Sequence, residues 1–147
     1  MFKNMDRFRD TGLLILRLGL GFMFLYHGWP KLAGGPDMWE KLGGAMGSVG
    51  VTFTPILWGF MAAVAEFAGA IMLILGLFFR PACFLLAFTM FIATMMHLKA
   101  GQGLQAASHS IEDGVVFLGL FLIGPGKYGF GGRHERKAKP KQNKRGK

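Results

Sequence analysis

Apolar positions in this chain fall into four long blocks, Leu13 to Leu32, Pro55 to Phe79, Ala82 to Leu98 and Leu104 to Ile123, separated by short segments rich in glycine, proline and charge. The second block, counted from Phe53, is the longest. At 1.5 Å of rise per residue it exceeds the roughly 30 Å of a bilayer's hydrocarbon core, so it spans with some tilt. The pattern predicts an all-α, integral membrane four-helix bundle. The third and fourth blocks are shorter, which leaves a three-span protein with one re-entrant segment as the alternative.

The informative positions are the polar ones inside the blocks. Glu66 stands at the midpoint of the second block, where an unpaired charge is expensive, so it is expected to face a bundle interior or a wet cavity and find a partner. Its helical neighbours Gly59, Ala62, Ala63, Gly69 and Ala70 form a seam of small residues that lets other helices approach closely. In the first block Arg17, His27 and Lys31 make one polar stripe, since His27 and Lys31 are four apart and the step from Arg17 to Lys31 returns nearly to the same face. Gly19 and Gly21 keep part of this helix slim. Asp10 or Thr11 is placed to cap its start, and Pro30 is expected to kink or end it. Tyr26 and Trp29 suit an aromatic belt at the interface.

The connections follow from turn chemistry. Thr54 and Pro55 read as a cap and first helical residue, and Arg80–Pro81 as a turn so short that the second and third spans must be antiparallel neighbours. Between the first two spans, Met38, Trp39, Leu42 and Met46 recur at helical spacing within a glycine-rich stretch, which fits either a short amphipathic helix or an ordered loop with one helical turn. His97 and Lys99 close the third span. The fourth, counted only from Ser110, is too short to cross, so it is extended back toward Leu104, which places Glu112 and Asp113 inside the membrane. The competing arrangement makes Ser110 an N-cap with Asp113 as its box partner and leaves both acids at the interface. Gly124–Pro125–Gly126 stops the helix either way.

Charge adds orientation. Of the 17 Lys and Arg residues, nine follow Pro125, so the net charge of +9 reflects a basic tail rather than a nucleic-acid surface. Lys3, Arg7, Arg9, Arg80 and that tail fall on one side, against Lys31, Lys41 and Lys99 on the other. Both termini are therefore expected in the cytoplasm, with the chain multi-pass in the cell (inner) membrane and lipid as its constant partner. Three segments result: an N-terminal stretch over 1–10, the transmembrane domain over 11–126, and a basic disordered tail over 127–147 that also suits anionic lipid. The N-terminal charges resemble a signal peptide, but Arg17 interrupts the apolar run, so the first helix is read as retained. The single cysteine, Cys83, excludes an intramolecular disulfide relay and reads as a small core residue.

Taken together, LRLGLGFMFLYHGWPKL in the first helix, AEFAGAIMLILGLFFRPA in the second, and Glu112 followed later by LIGPGKYGF resemble the DoxX family of small four-helix membrane proteins over roughly residues 10 to 130. The resemblance implies a shared polar set of Arg17, His27, Lys31, Glu66, His97 and Glu112. It also implies a link to redox physiology, in which some relatives are subunits of a thiosulfate:quinone oxidoreductase and others accompany oxidative-stress enzymes. The lysine-rich tail exceeds the family's usual ending and inherits nothing from it.

The chemistry then divides three ways. No His, Asp or Glu pair has tight metal-ligand spacing, no glycine loop has the ending a phosphate cradle needs, and no flavin, haem or iron–sulfur signature is present. Catalytic residues are not legible, and an electron path inside the chain is not supported. Any redox chemistry would come with a bound quinone, a redox partner protein or a homo-oligomer, making the chain at most a subunit of a quinone-linked oxidoreductase. The polar residues suit a buried network in which Arg17 reaches toward Glu66 while His27, Lys31, His97 and Glu112 group above. Such a network can fix helix pairing, bind an amphipathic ligand with proton exchange at Glu66 or a histidine, or carry an ion or solute as a small transporter or channel.

Overall fold

The computed structural model describes residues 8–130. Lys3, Arg7 and the basic segment from residue 131 onward, on which part of the orientation argument rests, lie outside the described residues. Among the described residues five α-helices follow one another: α1 (Arg9–Ala33), α2 (Gly35–Gly43), α3 (Pro55–Leu75), α4 (Phe79–Lys99) and α5 (Gly103–Ile123), with a 3-10 turn over Gly44–Val49 after α2. Helices α1, α3, α4 and α5 are long and apolar enough to cross a membrane. The four-helix bundle expected from the hydrophobic blocks is therefore present.

The four spans pack in chain order. Helix α1 lies along α3, α3 along α4, and α4 along α5, while no Cα atoms of α1 and α5 come within 8 Å. The bundle thus has one open seam, between its first and last helices. Across it the rings of Phe24 and Phe117 meet edge to face at 4.9 Å, joining the core built from Leu73, Cys83, Leu86 and Leu120. Helix α4 is fastened to α5 by a polar contact as well: Thr94 Oγ1 and Ser110 Oγ lie 2.9 Å apart, so one hydroxyl donates to the other, and the accepting hydroxyl gives its own proton to a carbonyl of its helix, Met90 O or Ala107 O.

Several element ends differ from the sequence reading. Pro30 stays inside α1, which runs on to Ala33. Helix α3 starts at Pro55, but the Thr54 side chain makes no cap bond; Thr54 sits at φ 47° and its carbonyl receives Leu57 N and Trp58 N. The same helix stops at Leu75, because Gly76 adopts φ 66° and Gly76 N and Leu77 N close a left-handed cap on Leu73 O and Met72 O. Arg80 and Pro81 accordingly belong to the first turn of α4, where a missing N–H costs nothing. Helix α5 reaches back to Gly103, so Ser110 is an interior residue and not an N-cap.

The segment between α1 and α3 is helical and is folded onto the bundle. Glycines set that contact: a Cβ on Gly43 would lie 1.7 Å from Pro55 O, and one on Gly59 1.7 Å from Trp39 O. The two backbones cross with no room for a side chain between them. Trp39 completes the seat, donating from Nε1 to Lys31 O at 3.1 Å and stacking edge-on against Phe60. In α1, Gly21 is likewise closely covered, by Ile74, whereas Gly19 meets nothing within 4 Å and does not serve the packing expected of it.

Candidate functional site

Two polar centres form on α1, and they share no partner. At the first, Arg17 is 1% exposed and its guanidinium donates to three backbone carbonyls: Nε to Leu73 O (2.9 Å), Nη2 to Ile74 O (2.7 Å) and Nη1 to Pro125 O (2.9 Å). Leu73 and Ile74 are in the last turn of α3, where unpaired carbonyls and the negative end of the helix dipole favour a cation. Gly76 is glycine for a second reason here, since a Cβ would meet Arg17 Nη2 at 2.5 Å. The Pro125 end is drawn in too: Lys127 N donates to Asp10 Oδ1 (3.0 Å) and Phe130 N to Leu75 O (3.2 Å). Residues 127–130, assigned to the tail on sequence, are thus held against the bundle. The expected reach of Arg17 to Glu66 does not occur.

Glu66 is met instead by Lys31. It is the twelfth of the 21 residues of α3, 3% exposed, and its Oε2 receives a hydrogen bond from Lys31 Nζ at 2.5 Å. Two local features produce the pair. Gly28 brings the α1 backbone against α3, its Cα hydrogen standing where a Cβ would be 3.1 Å from Phe67 N and 3.4 Å from Glu66 C. Lys31 follows three residues later, and because Cα–Cβ bonds tilt toward a helix's N-terminus its side chain runs back down to that level. The pair is unequal in exposure: the Lys31 side chain is 31% exposed and that of Glu66 is 5%.

A cavity opens on each side of this ion pair. The larger, about 410 Å³, lies between α3, α4, α2 and the 3-10 turn; Met61, Leu85, Phe88, Ile92 and Met96 give it a mainly apolar wall, with Lys31, Glu66, Lys41 and His97 as its charged or titratable members. Trp58 also lines it, and Trp58 Nε1 is buried without a hydrogen-bond partner among the described residues. The smaller, about 310 Å³, is the open seam between α1 and α5, lined by Leu20, Met23, Phe24, Met90, His27, His109 and Asp113 together with Lys31 and Glu66. Lys31 and Glu66 are the residues common to both linings.

The six residues read from sequence are therefore distributed rather than gathered. Lys31 and Glu66 meet; His27 joins them from the α1–α5 side and His97 from the α3–α4 side, where His97 Nδ1 lies 2.5 Å from Gln102 Oε1. Arg17 is about one helix-half away. Glu112 is exposed and lines neither cavity, and its neighbour Asp113 takes the inward position instead. Among the described residues no group of three or more His, Cys, Asp or Glu is placed to hold a metal. His109, Asp113 and Trp58 are absent from the sequence-derived set. The spacing of His109 and Asp113, four apart on an extended α5, carried the signal for two of them; the burial of an indole N–H has no sequence signature.

Comparison with known proteins agrees with this architecture. The family model described as DoxX matches residues 12–98, which takes in α1 through α4 and leaves α5 outside. An uncharacterised protein of Haemophilus influenzae is 37% identical over 100 residues, covering 68% of this chain and 69% of the relative. The Escherichia coli inner membrane protein YqjF is 27% identical over 129 residues, covering 84% of this chain and 92% of its own. No solved structure matches.

Proposed function

We infer that this chain, which belongs to the DoxX family, is a multi-pass inner-membrane protein that binds an amphipathic ligand of the quinone kind beside the Lys31–Glu66 pair, as an accessory subunit of a redox-linked membrane assembly. The inner membrane follows the Escherichia coli relative. Both termini are assigned to the cytoplasm, with Arg9 and Arg80 on that side and Lys31, Lys41 and Lys99 on the other.

The observation that carries the reading is the larger cavity. Its volume, about 410 Å³, falls in the roughly 300–1,000 Å³ of small-molecule sites. An apolar wall with a few convergent polar groups suits a flat head bearing carbonyl or hydroxyl oxygens and a hydrocarbon body. Lys31 has donors beyond the one given to Glu66, and the buried N–H of Trp58 needs an acceptor. A quinone oxygen accepts from such donors, and its reduced form donates to Glu66. No residue of the chain supplies electrons in this scheme; those come from a partner, while the chain holds the head and exchanges protons with it.

Mass spectrometry of small molecules retained by the nanodisc-embedded protein tests the reading, comparing wild type with Glu66→Gln and Trp58→Phe. A quinone kept by wild type and depleted about tenfold or more in both variants, a loss of roughly 1.4 kcal/mol, is the expected result. Equal retention in all three, or none in wild type, overturns it.

A further inference from the structure

We propose that the open seam between α1 and α5 is a dead-ended proton inlet, in which His27, His109 and Asp113 deliver protons from one membrane face to Glu66, and through it to the opposite cavity. This rests on the ligand reading for the final recipient, but not for the delivery itself.

The geometry is that of a half-channel. The seam's lining divides into four apolar residues, Leu20, Met23, Phe24 and Met90, and five titratable ones, Lys31, Glu66, His27, His109 and Asp113. His27 lies near the C-terminal end of α1 and His109 near the N-terminal end of α5, so both stand toward the same face, and both are exposed. Asp113 is one turn further along α5, half-buried, and within electrostatic reach of His109 on its own helix and His27 across the seam. Toward the Arg17 end the lining finishes on Leu20 and Phe24, both packed against the apolar core with Phe117 and Leu120, and no titratable residue lines the seam on that side. Helix α4 contributes only Met90 to the lining, and α2 contributes nothing; Lys41 and His97 face the other cavity, and Glu112 faces neither.

Histidine is the side chain whose ordinary titration range lets it both take and release a proton near neutral pH. A proton leaves an imidazolium N–H of His27 or His109, and an O–H bond forms on Glu66 as its ion pair with Lys31 opens. The imidazole is reprotonated from water at the exposed mouth. Glu66, in the wall common to both cavities, then passes the proton to a ligand oxygen on the far side. Because the lining finishes on the apolar residues Leu20 and Phe24, the seam connects that ligand with one face only and gives no route across the membrane.

Two measurements test this in nanodiscs and sealed vesicles. The first follows protonation of Glu66 after a pH jump by its infrared carboxyl band, identified as the band lost in Glu66→Gln. The His27→Gln/His109→Gln/Asp113→Asn variant is expected to slow it at least about tenfold, the low end of what positioned acid–base groups contribute. An unchanged rate, or a Glu66 band that never responds to pH, overturns the proposal. The second labels Met90→Cys, in a Cys83→Ala background, with a membrane-impermeant thiol reagent. Reaction from the face where α1 ends, and not from the other, is expected; reaction from the opposite face, or from neither, overturns it. Neither readout needs a bound ligand, so an absence of retained quinone would count against the function proposed above and leave the inlet to be judged separately.

Discussion

Arg17 and Lys31 lie fourteen residues apart on one helix, and the structure uses them in opposite ways. Arg17 is 1% exposed and gives its donors to three carbonyls in two separate segments, all of them backbone. Lys31 is 31% exposed at the side chain and has one carboxylate oxygen as its partner among the described residues, with a cavity on either side. A buried guanidinium that gives a donor from each of its three nitrogens to a fixed carbonyl is closed to a ligand, and its loss strands acceptors that have no other donor. An ammonium on a partly exposed side chain, paired once, keeps donors and can exchange its partner. The first centre closes the bundle; the second leaves a place where something can happen.

Replacing the Arg17 clasp gives the largest expected effect. Arg17→Leu takes a donor from three carbonyls; Leu73 O keeps Gly76 N, while Ile74 O and Pro125 O lose the side-chain donor that reaches them. At about 1–3 kcal/mol for each buried group left unsatisfied, a loss of about 2–6 kcal/mol in the unfolding free energy of the detergent-solubilised protein is expected. Arg17→Lys should recover only part, since an ammonium lacks the planar fork. A stability within about 1 kcal/mol of wild type for Arg17→Leu would remove the distinction drawn between the two centres.

The ion pair should behave differently under the same treatment. Lys31→Met strands Glu66 and is expected to cost about 2–4 kcal/mol, whereas Lys31→Met/Glu66→Met, which removes both charges, should return to within about 1 kcal/mol of wild type. The double variant should nevertheless lose the retained ligand. Stability and ligand retention would then be separated at this centre, as they cannot be at Arg17. A double variant as unstable as the single would make the pair a structural device like the clasp.

The smallest effects distinguish two glycines of α1. Gly19→Ala adds a methyl in open space and should leave stability unchanged or raise it by up to about 1 kcal/mol. Gly28→Ala places a Cβ at 3.1–3.4 Å from the Phe67 and Glu66 backbone, so α1 must move by a few tenths of an ångström. A cost of about 1 kcal/mol and weaker ligand retention are expected, because the shift lengthens the reach of Lys31. Equal behaviour of the two variants in thermal melts and in retention would show that close approach at Gly28 does not set the pair.

Much of the fold was legible because a bilayer imposes simple rules on sequence. The spans are long apolar runs, and Gly59, Ala63, Glu66, Gly69 and Ala70 on one face of α3 are buried as the small-residue seam implied. The backward extension of α5 followed from length alone. The site was legible in part: the cost of a mid-membrane carboxylate pointed to Glu66 and required a partner, but two basic residues on α1 could supply it. Helical periodicity put Arg17, His27 and Lys31 on one face, and periodicity does not measure depth. The level at which α1 meets α3 decides between them, and it is set by the crossing at Gly28.

What the chain by itself determined is therefore which groups cannot be left alone. The buried glutamate, the polar stripe of α1 and the small residues of α3 each follow from the energy of placing a side chain in hydrocarbon, and that energy depends on residue type and position. Tertiary structure decided who answers whom. The partners of Arg17 are backbone carbonyls, which every residue carries and no sequence distinguishes; the cavities beside Lys31 and Glu66 exist because α1 and α5 stay apart while α2 crosses α3 at two glycines. Such distances arise from how whole helices stack, and a helix cannot encode in its own sequence the gap left between its neighbours.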